Sequence, residues 1–239
     1  MIDSCVWQLV PGTSEVYLYS ILRKPSIESS NSFIFKAPGG VLILDPGGDP
    51  KQVEHIEEVV QPMLMEHDMP VRICLTHAHM DHFHAMSRLL GKPLNGQLTC
   101  HLESAEILRS GDDHRSLAYM YGIEVPSFNV STKVFESARQ PRAKAAGPAH
   151  GPGEQPGVCH ARGVPGTPGL PREFLKLGER DSIEIFHTPG HAEDSLTFKV
   201  GEFLFVGDLP FAAEPAVAGI PGWDPESLRA SIDGLTRIL

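Results

Sequence analysis

Six consecutive residues, His77-Ala78-His79-Met80-Asp81-His82, do most to limit what this chain can become, because they follow directly on the apolar stretch Val71-Arg72-Ile73-Cys74-Leu75 and Thr76. A short apolar run bounded by polar residues reads as a buried strand. The six residues then fall on the turn at its end and gather three imidazoles and a carboxylate into one bend. Imidazole nitrogen and carboxylate oxygen are the donors that borderline divalent cations such as zinc accept. His77 and His79 stand two apart and share a face while strand geometry lasts. Asp81 and His82 come after the bend and can reach a second point nearby, the layout expected of a site for two metals. A histidine-rich surface turn is the plain alternative, and the buried strand before the run argues against it.

Three later or earlier stretches join this run. Val41-Leu42-Ile43-Leu44-Asp45-Pro46-Gly47-Gly48 is an apolar strand ending in Asp; His187-Thr188-Pro189-Gly190-His191 is a turn ending in His; Phe203-Leu204-Phe205-Val206-Gly207-Asp208 is a second apolar strand ending in Asp. In this order, and over about residues 31 to 239, the set resembles the metallo-β-lactamase superfamily of hydrolases and oxidoreductases. The resemblance implies an α+β fold, the four-layer αββα sandwich. It implies that His77, His79 and His191 hold one metal, that Asp81, His82 and Asp208 hold a second, and that Asp208 bridges the two. Asp45 is expected to brace the metal turn from behind with backbone N–H bonds rather than to bind a metal.

Two places depart from the family's pattern. Members carry a further His ligand after the helix that follows the fourth motif. Here no His follows His191, and the sequence reaches Leu239 inside a helix-like run that starts at Pro225. The expectation is a sandwich lacking its C-terminal strand and helix, in a natural protein that continues past Leu239, with the second metal site incomplete. The other departure is His84, which stands where a small residue, usually Gly, is the rule. A residue on the helix after the motif points past the metals, so His84 is expected to support a ligand or face solvent.

The ligand set suits zinc at two sites. Asp81 together with a His at the third motif resembles the thioesterase branch, whose best-known member is glyoxalase II. The chemistry this implies is attack by metal-bound hydroxide on a thioester, ester or lactone, with Asp81 as the catalytic group that orients the nucleophile and carries its proton. Two alternatives stay open. One is a mononuclear non-haem iron enzyme that oxidises persulfides with oxygen, since two His and one carboxylate around Fe2+ leave open positions. The other is a truncated or degenerate member acting as a non-catalytic binding module. β-Lactam hydrolysis fits less well with an N-terminus, Met1-Ile2-Asp3-Ser4, that has no basic region before an apolar core.

Composition narrows the partners. The chain of 239 residues suits a single domain spanning 1–239 and can bury a substantial core. A formal charge of −10 argues against nucleic acid as partner, because phosphate contacts need clustered Lys and Arg. No stretch approaches the ~18 apolar residues of a membrane span. The expected setting is therefore cytoplasmic, with a small-molecule substrate and a homodimer as the default assembly. Cys74 and Cys100 sit in apolar runs and read as buried thiols.

Local patterns predict strands over 15–22, 31–37, 41–45, 71–75, 97–101, 182–187, 195–200 and 203–207. Helices are predicted over 51–67, with a kink at Pro62, over 82–90, over 103–109, and from Pro225 behind an Asp224 cap. Residues 137–172 are rich in Pro, Gly, Ala and Arg and are expected to form a structureless insertion. Tyr119, Tyr121, Arg115 and Arg162 are candidates for substrate contact by location alone.

Overall fold

The protein is seen in a computed structural model that describes residues 2–24, 29–136, 158–159, 170–211 and 219–238. The first sheet has seven strands in sequence order: β1 (Trp7–Leu9), β2 (Tyr17–Ile21), β3 (Ser32–Ala37), β4 (Gly40–Leu44), β5 (Val71–Cys74), β6 (Gln97–His101) and β7 (Thr132–Val134). β1 to β4 are antiparallel neighbours, and β4 to β7 run parallel. Parallel neighbours need crossovers. These are α1 (Pro50–Glu66), the short pair α2 (Met80–Phe83) and α3 (Ser87–Leu90), and α4 (Leu102–Ser110). The second sheet is wholly antiparallel in the order β12-β11-β10-β9-β8, built from β8 (Val158–Cys159), β9 (Arg172–Lys176), β10 (Ser182–His187), β11 (Leu196–Val200) and β12 (Phe203–Phe205). A last helix, α5 (Pro225–Thr236), follows.

The strand alternation decides which face meets what. Ile34, Ile43 and Ile73 point to one side of the first sheet, where α1 lays down Val53, Ile56, Val60 and Met63. Leu18, Phe35, Leu42, Leu44 and Cys74 point to the other, where they meet Leu175, Ile183, Ile185, Phe198 and Val200 of the second sheet. Leu209, Leu228 and Leu235 form a smaller cluster under α5 with Leu170 and Val206, the residues flanking β9 and β12. The order is therefore helices, sheet, sheet, helix.

α1 starts where Asp49 accepts a hydrogen bond from Lys51 N at 2.9 Å, with Pro50 in the first turn. It runs on through Pro62 to Glu66, so the proline does not divide it. Cys74 and Cys100 are fully buried, and burial pushes the Cys74 thiol up to about 12, which leaves it unreactive.

Three differences from the sequence reading stand out. β1, β7, β8 and β9 were not foreseen; each is five residues or shorter. Within the expected insertion at 137–172, Val158 and Cys159 pair with Leu175 and Phe174, and β9 already begins at Arg172. The rest of that expected insertion, and Arg162 with it, lies outside the described residues. The helix predicted over 82–90 is broken, with α2 starting at Met80 and a 3-10 turn over His84–Met86 before α3.

α5 docks on a turn rather than on a flat surface. Gly190 has φ +143, and a Cβ there would lie 2.4 Å from Leu228 Cα. Gly190 O accepts from Asp224 N at 2.9 Å, and Ser231 Oγ donates to Pro189 O at 2.7 Å. The substitution Gly190→Ala should therefore lose about 2 kcal/mol or more of stability, read as a lower urea midpoint at unchanged slope. A midpoint within error of wild type would show that α5 is not seated on this glycine.

Candidate metal centre

Both sheets end at the same edge of the molecule. β5 delivers the turn Thr76–His79, β10 leads to His191, and β12 leads to Asp208. Leu196 N donates to Thr76 O at 2.7 Å, which ties β11 of the second sheet to the turn of the first. Gly207 is needed where Thr76 crowds it: φ is +54, and a Cβ would sit 2.8 Å from Thr76 Oγ1.

Four imidazoles meet here. His77, His79, His82 and His191 are each between 1% and 3% exposed, so none can rely on water for its ring nitrogens. The ring of His77 lies 4.5 Å from that of His79, 4.1 Å from His82 and 4.9 Å from His191. His191 Nε2 faces His79 Nδ1 at 2.9 Å. Ligand atoms of His77, His79 and His191 all lie within 4.8 Å of one another, close enough to share one cation. A second group with the same property is His77, His82 and Asp208.

Asp208 and Asp81 stand at the second group. One Asp208 oxygen is 3.4 Å from His82 Nε2 and the other is 3.9 Å from His191 Nε2, so this carboxylate spans both groups. Asp81 Oδ2 is 3.5 Å from His82 Nε2, on the first turn of α2, with its side chain 20% exposed. Asp81 thus stands beside the second group while His77 completes it. His84 belongs to neither group. It opens the 3-10 turn, half-buried, and its Nδ1 has no hydrogen-bond partner among the described residues.

Asp45 holds the turn from behind. It sits at φ +51, a left-handed conformation that Asp tolerates, and it is nearly buried. Oδ1 accepts from Thr76 N at 2.8 Å, Oδ2 from Thr76 Oγ1 at 2.7 Å, and Oδ2 lies 3.1 Å from His82 Nδ1. Having donated its proton, Thr76 Oγ1 is left to accept from His77 Nδ1 at 3.0 Å. Both contacts place N–H on the Nδ1 side of His77 and His82 and turn Nε2 inward. Neither Nε2 makes a hydrogen bond among the described residues; at His77 it is a bare lone pair, and at His82 it carries the proton that faces Asp81 and Asp208. Buried lone pairs without partners are costly, and a cation satisfies them. The donor set therefore fits one or two divalent metals.

Sequence reasoning missed Asp194. This carboxylate is buried, accepts from Ala78 N at 2.8 Å and from Ser104 Oγ at 2.6 Å, and so joins the His191 loop to the backbone between His77 and His79 across 116 positions. The only sequence signal was an Asp three residues after His191, which has no meaning until the loop is placed. On the outer side of the loop, Arg115 pairs with both Glu103 and Glu193. His187 stacks on His101 at 4.4 Å while its Nε2 meets Glu193 O at 2.9 Å.

The electrostatics separate one histidine from the other three. Burial, then the neighbouring imidazoles, push His77 and His79 well below the usual histidine range. Burial brings His191 down to about 4. Burial opposes a proton on His82 too, but Asp81, Asp45 and Asp208 outweigh it and hold His82 well above its usual value. Asp208, despite burial, is drawn down to about 2 by His82 and the other imidazoles. Asp81 is raised to about 6, mainly by burial.

The sequence profile of the Metallo-beta-lactamase superfamily matches residues 26–237, and the chain belongs to that superfamily. Among solved structures, the protein TTHA1623 in a di-iron-bound form superposes with a TM-score of 0.56 at 20% identity, over 87% of this chain and 82% of that one. The B3 metallo-β-lactamase BLEG-1 superposes with a TM-score of 0.55 at 19% identity, over 90% and 83%. The FEZ-1 metallo-β-lactamase from Legionella gormanii gives 0.56 at 13% identity, over 95% and 73%. At these identities the likeness bears on the fold. No curated protein sequence matches the chain.

Two outcomes follow from this geometry. Asp194→Ala should weaken metal binding roughly 10- to 100-fold by freeing the His77–His79 backbone, as loss of groups behind a ligand does; competition with a chelator reads it, and unchanged affinity would remove Asp194 from the site. Zinc binding to the His77/His79/His191 group should vary little between about pH 6 and pH 8, since those rings are already neutral. A cation on His82 must displace a proton, so its affinity should rise with pH by up to roughly tenfold per unit. Calorimetry in buffers of different ionisation heat counts that proton.

Proposed function

We propose that this protein is a metal-dependent hydrolase of small-molecule thioesters, esters or lactones, with zinc as its cation. Family membership supports the hydrolase class. The observation that carries the reading is the placement of Asp208, which faces His82 with one oxygen and His191 with the other and so links two donor groups a few ångströms apart. Cations held there would supply Lewis acidity and bring the pKa of a water to near neutrality. That chemistry needs no Ser or Cys nucleophile.

The chain's own residues then have distinct tasks. His77, His79 and His191 offer neutral lone pairs at physiological pH. Asp45 and Asp194 hold the turn, so the donors need not reorganise during turnover. Asp81 is the proton carrier. It stands 3.5 Å from His82, beside the second donor group rather than within it and with its side chain 20% exposed, where a carboxylate can take a proton from the nucleophile and return it to a leaving group.

Iron is the competing cation, because imidazole and carboxylate accept it as well, and the neighbour TTHA1623 was solved in a di-iron-bound form. Metal analysis of protein expressed without added metal decides between them. Two zinc ions per chain and thiol release from a thioester panel would support the hydrolase. One iron per chain and oxygen uptake with a persulfide would replace it with oxygen chemistry. Asp81→Ala should lower kcat by roughly 10²- to 10⁴-fold while retaining metal at the three-histidine group; full activity in that variant would remove Asp81 from proton transfer.

A further inference from the structure

We propose that the free edge of β1 is the interface of a two-fold homodimer, in which two copies of β1 pair antiparallel about Gln8 and join their seven-stranded sheets into one. The backbone parity sets the register. Val10 N donates to Val16 O at 2.8 Å, and Gln8 lies opposite Leu18, so the even-numbered residues make the hydrogen-bonded pairs with β2. Trp7 and Leu9 fall between those pairs, and their N–H and C=O groups point away from β2, toward the open edge. Among the described residues no strand pairs with that edge.

A two-fold axis at Gln8 puts Trp7 opposite Leu9 of the second copy, and Leu9 opposite Trp7. Both are outward-pointing positions, so each pair can exchange two hydrogen bonds and every free group of the edge is used. The side chains fit the same arrangement. Trp7 is 38% exposed and Leu9 49%, on the same face as Tyr17 at 45%. These apolar groups widen a short strand contact toward the ~800 Å² per partner that stable dimers bury.

Charge selects a second copy as the occupant. A two-fold axis sets like against like, which the formal charge of −10 would oppose over most of the surface. From Ser4 to Ser14 there is no Asp, Glu, Lys or Arg, and the acid beside the axis, Asp3, meets Gln8 through its backbone oxygen at 3.3 Å. Edge strands that must stay unpaired are usually guarded by Lys, Pro or a bulge that turns the strand away. Trp7, Gln8 and Leu9 carry none of these guards, and the one irregularity, Cys5 at φ +58, lies before the strand.

Light scattering on the metal-loaded full chain at micromolar concentration should give twice the 26.1 kDa of one copy. Leu9→Pro removes an N–H that β2 does not use and should yield a monomer with wild-type circular dichroism. Trp7→Lys should do the same by placing charge at the axis. Hydrogen exchange on the unmutated protein is the check that needs no variant: the amides of Trp7 and Leu9 should become protected as concentration rises. A wild-type monomer, a dimer that survives both substitutions, or edge amides that exchange freely at every concentration would each overturn the proposal.

Discussion

Four buried imidazoles within touching distance of one another cannot all carry protons, and that constraint organises this molecule. Burial and mutual repulsion hold His77, His79 and His191 neutral. The three carboxylates around His82 concentrate positive charge on that one ring. The result is a pocket of lone pairs beside a site that already holds a cation in the form of a proton. A protein without metal ions to bind would gain nothing from such an arrangement, because unpaired buried nitrogen is costly.

Holding the rings in place falls to groups that never touch their inward-facing nitrogens. Asp45 fixes Thr76 by two bonds, Thr76 fixes the tautomer of His77, and Asp45 reaches His82 as well. Asp194 grips the backbone at Ala78 from the loop that carries His191. Asp45 acts from the end of β4, and Asp194 from the loop after β10. Each links a stretch of the first sheet to something more than thirty positions away, so the site is stiff only when both sheets are assembled.

The layers serve the same end. The parallel half of the first sheet places the ends of β4, β5 and β6 side by side, and their crossover helices all lie on the far face. This leaves the strand ends open to the second sheet, whose loops bring His191 and Asp208. α5 then closes on Gly190 and holds that loop down. The opposite, antiparallel edge of the first sheet carries no part of the metal site, which frees β1 for contact with another copy.

Much of the site could be read from the order of residues. The run from His77 to His82 gave its chemistry away by spacing, because neighbours in one turn are neighbours in space. Asp45, His191 and Asp208 were reached only through the resemblance of their motifs, since nothing local says that they face the same point. The long amphipathic and apolar segments, α1, β3, β4, β5 and β10, were legible because burial on one side leaves a period in the sequence. The three-residue strands β1 and β7 were not, because three residues are too few to show one. Local sequence thus determined which donors exist, what cation class they accept and which strand ends carry them. Only the packing of the two sheets decided that Asp208 spans His82 and His191, that His77 serves both donor groups, and that Asp194 braces the turn. Contacts between residues more than a hundred positions apart depend on how the layers pack, and no local pattern encodes that.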